Sequence, residues 1–245
     1  MLIHGFHAVE ARLKRGGQGV RELYVAGERD DARVRSLTRL AQAAGVRPHV
    51  VDMARVDRMC AGRRHQGVAM IVDDAPAPAV SLDDLLDRVP EPRLLLLDGV
   101  TDPRNLGACL RVADGAGVNA VVAPKDHACP LTEVAIQTAS GAAESVPYLM
   151  VTNLANAILD LQERGVFVVG AADEAAATLY ELVIPRAVAW VLGAEGKGLR
   201  RLTRQRCDAL VRIPMAGQVA SLNVSVAAGV VLYETVRQAR AAAAR

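Results

Sequence analysis

Three polar segments that could bind a nucleotide each follow a short apolar run of the sequence. They are Asp98 to Arg111 (DGVTDPRNLGACLR), Gly193 to Gly198 (GAEGKG) and Ser221 to Ser225 (SLNVS). The third segment stands between apolar residues, including Ile213 and Val231, where a hydrophobic interior is expected. Amide and hydroxyl groups are costly to bury unless they have hydrogen-bond partners. A ligand could supply those partners, but Ser221 or Asn223 could also simply cap a helix.

Asn105 and Arg111 are the side chains of the first segment that are suited to hold a ligand. Asp102 and the proline after it begin a turn, Asn105 can cap the following helix, and Arg111 lies one to two turns further along. An amide and a planar guanidinium at the end of a strand could together hold a phosphate or a ribose. The alternative is a turn and a cap, with Arg111 in a surface ion pair.

The second segment is rich in glycine and carries one carboxylate, Glu195. Glycines between a strand and a helix let the backbone approach a ligand closely. The order GxxGxG differs from the dinucleotide fingerprint GxGxxG, which argues against a nucleotide-dependent oxidoreductase. A carboxylate beside exposed backbone is typical of a group that accepts from a ligand or orients a cation, so Glu195 is a candidate site residue.

The apolar runs after residue 92 predict a parallel α/β sheet that brings the three segments to one edge. Strands without polar alternation indicate a parallel sheet covered on both faces, with ligands bound at the carboxyl ends of the strands. The predicted strands are 94–98, 120–123, 145–150, 166–170, 187–192 and 209–213, and the predicted helices are 106–115, 132–142, 154–164, 199–206 and 224–240.

Residues 74–92 are predicted to link two domains. The stretch is rich in proline and acidic residues, with a short helical pattern between its prolines. Residues 1–73 before it alternate between helical and strand patterns and predict a small α/β domain. Residues 93–245 after it form the larger domain, which carries all three polar segments.

Positive charge is concentrated in the first domain. Residues 1–72 contain 13 Lys or Arg against 7 Asp or Glu, whereas the whole chain has a net charge of +2. This asymmetry favours a nucleic-acid partner, although solvated helix faces carry such charges routinely.

Compartment and metal content are predicted from what the sequence lacks. The apolar runs are too short to cross a membrane, and the N-terminus has no signal-peptide pattern, so we expect a cytoplasmic protein without a membrane partner. The four cysteines lack the spacing of a metal knuckle or of a CxxC pair, so we expect reduced thiols and no metal. They are Cys60, Cys109, Cys129 and Cys207.

The order of the segments resembles a known family. DGVTDPRNLGACLRVADGAGV, then VLGAEGKGL, then IPMAGQVASLNVSVAAGVVLYE are similar to the three signature motifs of the SpoU (TrmH-like) RNA ribose 2′-O-methyltransferases, members of the knotted SPOUT superfamily. IHGFHAVEA near the N-terminus and the later HQGVA resemble the ribosomal-protein-like substrate-binding domain that precedes the catalytic domain in one branch of this family.

The resemblance implies S-adenosyl-L-methionine as methyl donor and assigns residues to two sites. The implied donor-binding residues are Gly193, Ile213, Met215, Gly217 and Leu222. The implied catalytic residues, near the ribose 2′-hydroxyl of the acceptor, are Asn105, Arg111, Glu195, Asn223 and Ser225. A free guanidinium is a poor base because its pKa lies above about 12, so we favour Arg111 as a clamp on phosphate and ribose, with deprotonated Arg111 as the alternative.

The resemblance also implies a deep trefoil knot in the larger α/β domain, a homodimer, and a guanosine of 23S ribosomal RNA as target. Periodicity alone predicts an unknotted sheet, because knots are rare. Two other functions stay open: methylation of transfer RNA by the same chemistry, and RNA binding without catalysis. The second explains the basic first domain but gives no reason for Asn105, Arg111, Glu195 and Asn223 to converge.

Overall fold

The computed structural model describes residues 1–14, 16–27, 31–63, 65–73, 81–194 and 196–243. The chain divides into two compact units. The first comprises Met1–Ala79 together with Ser140–Ser145, and the second comprises Val80–Ala139 and Val146–Arg245. Both units are α/β, as the sequence predicts. Within the described ranges, none of the helices is both long enough and apolar enough to span a bilayer.

The first unit is a four-stranded mixed sheet in the order β1-β4-β2-β3. Strand β2 pairs with β3 in parallel and with β4 in antiparallel orientation. Helices α1 and α2 cover one face, where Val9, Leu23 and Leu37 lie in one apolar cluster, and α3 packs on the other face through Val56 and Cys60. The elements are β1 (Leu2–His4), α1 (Phe6–Lys14), β2 (Val20–Ala26), α2 (Ala32–Ala43), β3 (Pro48–Val51), α3 (Met53–Cys60) and β4 (Val68–Val72).

The second unit contains a seven-stranded sheet in the order β7-β6-β5-β10-β8-β11-β9, and its neighbouring strands all pair in parallel. Its strands are β5 (Arg93–Asp98), β6 (Ala120–Pro124), β7 (Tyr148–Val151), β8 (Phe167–Ala171), β9 (Ala177–Thr178), β10 (Val188–Gly193) and β11 (Ala209–Arg212). The helices are α4 (Leu82–Arg88), α5 (Pro103–Gly115), α6 (Glu133–Ala139), α8 (Leu154–Glu163), α9 (Arg201–Arg206) and α10 (Val224–Ala243); α7 (Ala142–Ser145) groups with the first unit.

Helices cover both faces of the parallel sheet, as unbroken apolar strands require. One face packs against α4 and α8, where Leu96 and Val191 share a cluster with Leu85 and Ile158. On α10, Val231 is fully buried, and Thr235 accepts a hydrogen bond from the indole nitrogen of Trp190 in β10 at 2.9 Å. The parallel sheet is therefore confirmed, whereas the trefoil knot stays a prediction, since strand order alone does not establish it.

The stretch predicted as a linker contains a helix that belongs to the second unit. Ser81 and Asp84 cap α4 reciprocally, and Leu85 packs into the core of that unit. Arg164, directly after α8, pairs with Asp83 at 3.0 Å and with Asp87 at 2.6 Å. Residues 74–80 of the predicted linker lie outside the described part of the chain, so the domain limits stay a prediction.

Candidate active site

Asn105 and Asn223 meet at the beginnings of two helices. Asn105 lies in the first turn of α5, and Asn223 immediately precedes α10. The Asn223 Nδ2 donates to Asn105 Oδ1 at 3.0 Å, and both side chains are at least partly accessible to solvent. The structure therefore joins the first polar segment of the sequence to the third.

Ser225 fixes the orientation of the Asn223 amide. The backbone N–H of Ser225 donates to Asn223 Oδ1 at 2.9 Å, and the Ser225 hydroxyl donates to the same atom at 2.6 Å. A backbone N–H can only donate, so the atom facing it must be the amide oxygen. The Nδ2 of Asn223 is consequently directed at Asn105. Asn223 thus caps α10 and orients Asn105 with the same side chain.

Helices α5 and α10 run side by side in the same direction. Asn105 contacts Asn223 near their starts, a Cβ added to Gly229 would lie 3.9 Å from Val112, and one added to Gly115 would lie 2.9 Å from the Tyr233 hydroxyl. The three contacts follow one another in the same order along both helices, so the two helices are parallel. Because each helix follows a strand of one parallel sheet, their N-termini meet at the carboxyl edge, as the sequence predicts for a ligand site.

A cavity of about 430 Å³ lies beside this pair of helix starts. Four of the five predicted donor-binding residues line it: Gly193, Ile213, Met215 and Leu222. Ser221 and Ala227 also line it, whereas Gly217 does not. Its volume is within the range of small-molecule sites, and its lining combines apolar residues with charged ones, among them Asp173, Glu174 and Arg204.

The glycines of the second segment close a tight turn. Ala194 and Gly198 form a β-bridge, and the N–H of Gly198 donates to Ala194 O at 2.9 Å. A Cβ on Gly193 would lie 2.1 Å from the carbonyl carbon of Gly198, and Gly196 and Gly198 have φ of 74° and 63°. Local backbone geometry therefore requires glycine here. Glu195, predicted as a catalytic residue, lies outside the described residues.

Arg111 is in the same helix as Asn105 and has an exposed side chain. The hydrogen bonds above unite Asn105, Asn223 and Ser225; the role of Arg111 stays a prediction. Sequence reasoning missed Asp98 and Arg200, which pair at this edge of the sheet. An acidic residue at the end of an otherwise apolar strand was the signal that could have found Asp98.

Two thiols of this unit are poorly suited to nucleophilic chemistry. Burial raises the pKa of Cys109 to about 12, and that of Cys207 to about 12 with a further contribution from Asp208. The thiolate is the reactive form of cysteine, so at neutral pH these side chains are inert packing groups. All four cysteines are free. In the described ranges no cluster of His, Cys, Asp or Glu could hold a metal ion.

The chain is similar over nearly its whole length to known proteins. The sequence model of the SpoU rRNA Methylase family matches residues 92–233, and that described as RNA 2′-O ribose methyltransferase substrate binding matches residues 2–78. The 23S rRNA (guanosine-2′-O-)-methyltransferase RlmB of Ralstonia nicotianae is 53% identical over 97% of this chain and 95% of its own length. The protein of the same name from Bordetella pertussis is 51% identical over 97% of both chains.

Solved structures share the fold. A crystal structure of an RNA 2′-O ribose methyltransferase superposes with a TM-score of 0.73 at 26% identity, covering 97% of this chain and 88% of that one. The SpoU methyltransferase AviRb from Streptomyces viridochromogenes, crystallised with AdoMet, superposes with a TM-score of 0.75 at 24% identity, covering 97% and 89%.

Proposed function

The chain belongs to the SpoU methylase family, and on this premise we propose that it transfers the methyl group of S-adenosylmethionine to the ribose 2′-hydroxyl of a guanosine in 23S ribosomal RNA. One structural observation carries the proposal. Leu222 lines the cavity, and the next residue, Asn223, is bonded to Asn105. A pocket suited to a methyl donor thus adjoins a polar cluster suited to a ribose.

The cavity fits the donor in size and chemistry. Ile213 and Leu222 offer apolar surface for a purine, and the turn after Gly193 brings backbone close to the cavity. The bound donor supplies a methyl group on a sulfonium, which is its own leaving group. The protein therefore needs to position the acceptor hydroxyl rather than form a covalent intermediate.

The polar cluster can position that hydroxyl. The Ser225 hydroxyl donates its hydrogen to Asn223, so its oxygen can act towards the ribose only as an acceptor. The Asn105 amide is turned with its oxygen towards Asn223, so its nitrogen points away from that partner. We assign Asn105 and Ser225 to the ribose, and Asn223 to holding both of them.

We assign Arg111 to the target phosphate and ribose as a planar cation that stabilises the negative charge developing on the 2′-oxygen. Arg111→Lys retains the charge but loses the planar fork. We expect this substitution to lower turnover at saturating RNA by roughly tenfold or more. Near-normal turnover would contradict the clamp.

The substrate assignment draws support from both units. Relatives described as acting on 23S rRNA match 97% of this chain, including the basic first domain. We assign residues 1–73 to binding ribosomal RNA, 74–92 to the linker and 93–245 to catalysis. We also propose a homodimer acting in the cytoplasm; Val226 and Tyr233 of α10, 51% and 53% exposed, are apolar surface available for a second copy.

Methylation of a 23S rRNA transcript with tritiated donor tests the proposal, and the modified nucleotide is then located by its 2′-O-methyl resistance to alkaline cleavage. We expect one methylated guanosine with the wild type and a severe loss with Asn223→Asp. Asn156→Ala, an exposed asparagine of α8, is the matched control and should methylate normally. Labelling of transfer RNA alone, or donor binding without transfer to either RNA, would contradict the assignment.

A further inference from the structure

Asp98 is a buried carboxylate that the proposed chemistry has not used. It ends β5, is 1% exposed, and accepts from the backbone N–H of Arg200 at 2.8 Å through Oδ2. Its Oδ1 lies 3.1 Å from Arg200 Nε, in an ion pair that falls short of hydrogen-bond geometry. Buried carboxylates are costly unless they are paired. Both oxygens of Asp98 therefore hold one residue, which lies in the loop after β10.

The guanidinium of Arg200 lies over the ends of three neighbouring strands. Its Nη2 is 3.5 Å from the carbonyl oxygen of Asp126, in the loop after β6. A Cβ added to Gly99, directly after β5, would lie 3.9 Å from the same nitrogen. Since β6, β5 and β10 are adjacent in the sheet, Arg200 is a fixed cation at the carboxyl edge that also carries Asn105.

The solvent exposure of the Arg200 side chain distinguishes it from an arginine that makes structural contacts only. Its side chain remains 45% exposed although Asp98, its partner, is fully buried. Lys125 and Lys197 are exposed in the neighbouring loops, together with one carboxylate, Asp126. A guanidinium presents five donors in a rigid fork that matches phosphate, and one already held in place loses little freedom on binding.

We propose that Arg200, held by Asp98, binds a backbone phosphate of the acceptor RNA and so anchors the RNA strand beside the site. This inference rests on the proposed function. It adds an RNA contact by a residue that the resemblance to the family did not assign to the site. Arg200 touches the substrate, whereas Asp98 acts through Arg200 and is a positioning residue. The arrangement fixes where the strand lies and does not read its sequence.

Arg200→Gln tests the contact. We expect the KM for RNA to rise roughly tenfold, with kcat and the donor Kd within about twofold of wild type. Filter binding measures the slope of log affinity against log salt concentration. The magnitude of this slope should decrease by the amount that about one phosphate contact contributes. Arg201→Gln is the matched control, because Arg201 is the next residue, is exposed and bonds only to Gln205 among the described side chains.

An unchanged KM and salt slope in Arg200→Gln would overturn the inference. So would an equal loss of donor affinity, which would show that Arg200 only braces the cavity wall. Filter binding does not depend on methyl transfer, so it tests the contact even if the assay finds no methylation. Absence of methylation by wild type and Arg201→Gln would count against the proposed function alone.

Two further variants test how Asp98 acts. Arg200→Lys retains the charge but loses the Nε contact, so we expect an intermediate KM with a wild-type salt slope. Asp98→Asn combined with Arg200→Gln should bind RNA no more weakly than Arg200→Gln alone, because Asp98 acts through Arg200. Additive losses would overturn the positioning role. If Asp98→Asn does not fold, the two Arg200 variants still decide the phosphate contact.

Discussion

The amide of Asn223 donates to the amide of Asn105 at 3.0 Å, although 118 positions separate the two residues. The oxygen of Asn223 is simultaneously occupied by the backbone and hydroxyl of Ser225. Two helix starts from distant parts of the chain are thereby joined through one side chain whose rotation is fixed at both ends. The same side chain therefore caps α10 and holds the Asn105 amide in place.

Asn223→Asp should separate these duties. Aspartate still caps α10 through Ser225, so the free energy of unfolding should stay within about 0.5 kcal/mol of wild type. The lost donor leaves an oxygen facing Asn105 Oδ1, so the Asn105 amide should turn over. Because small misplacements at a reacting centre are costly, we expect kcat to fall on the order of 100-fold. Chemical denaturation and the methylation assay measure the two effects.

Asn223→Ala is the comparison variant, since it removes both duties. It should lose the same activity and also about 1 kcal/mol of stability through the missing cap. If Asn223→Asp were as active as wild type, the hydrogen bond to Asn105 would have no part in catalysis, and Asn223 would be a helix cap only.

The strands were the most predictable elements, because burial on both faces leaves an unbroken apolar run. The runs at 94–98 and 187–192 lie within one residue of β5 and β10. The ends of helices and strands were predicted less accurately where the local backbone conformation stops an element early. The helix predicted over 132–142 ends at Ala139 because Ser140 and Gly141 adopt φ of 52° and 99°. The strand predicted from 145 starts at Tyr148, since the chain forms α7 up to Ser145.

Short elements and strand order were beyond the sequence. Strand β1 has three residues, too few to show a period. No helix was predicted between the expected strands at 47–51 and 67–72, although Asp52 caps α3 and Val56 and Cys60 mark its buried side. The placement of β10 between β5 and β8 depends on contacts distant in sequence. Convergence of the polar segments was predictable from one rule, that parallel strands end at a common edge. The Asp98–Arg200 pair was not predictable, because it forms only where β5 lies next to β10 in the sheet.

Leu222→Ala should weaken binding of the methyl donor. Leu222 lines the cavity, and truncation removes apolar surface that would cover a purine, so we expect the Kd for S-adenosylmethionine to rise about tenfold. Val219→Ala is the control from the same loop, since Val219 is 69% exposed and does not line the cavity. Titration calorimetry measures both. Equal affinities for the two variants would place the donor elsewhere.

Buried thiols should make the protein less stable in alkali. Cys109 has a folded pKa of about 12 against an ordinary value of 9.0, so its contribution to stability is complete below pH 9 and is lost as pH rises towards 12. The loss per thiol is at most about 1.4 kcal/mol per pH unit. The melting temperatures of wild type and of the double variant Cys109→Ala/Cys207→Ala should change in parallel with pH from pH 6 to 8. Above pH 9 the wild type should decline more steeply; identical alkaline slopes would mean that the thiols ionise freely in the fold.

Gly193→Ala and Gly229→Ala should change stability in opposite directions. A Cβ on Gly193 would lie 2.1 Å from the backbone of Gly198, and a backbone neighbour cannot move without opening the turn that borders the cavity. We expect a loss of about 3 kcal/mol, accompanied by weaker donor binding. In contrast, Gly229 lies within α10 with its nearest neighbouring atom at 3.9 Å, so alanine should fit and should stabilise the helix by about 0.5 to 1 kcal/mol. Denaturant unfolding of both variants checks the signs. A Gly193→Ala protein with wild-type stability would mean that the turn after β10 tolerates rearrangement and does not shape the site.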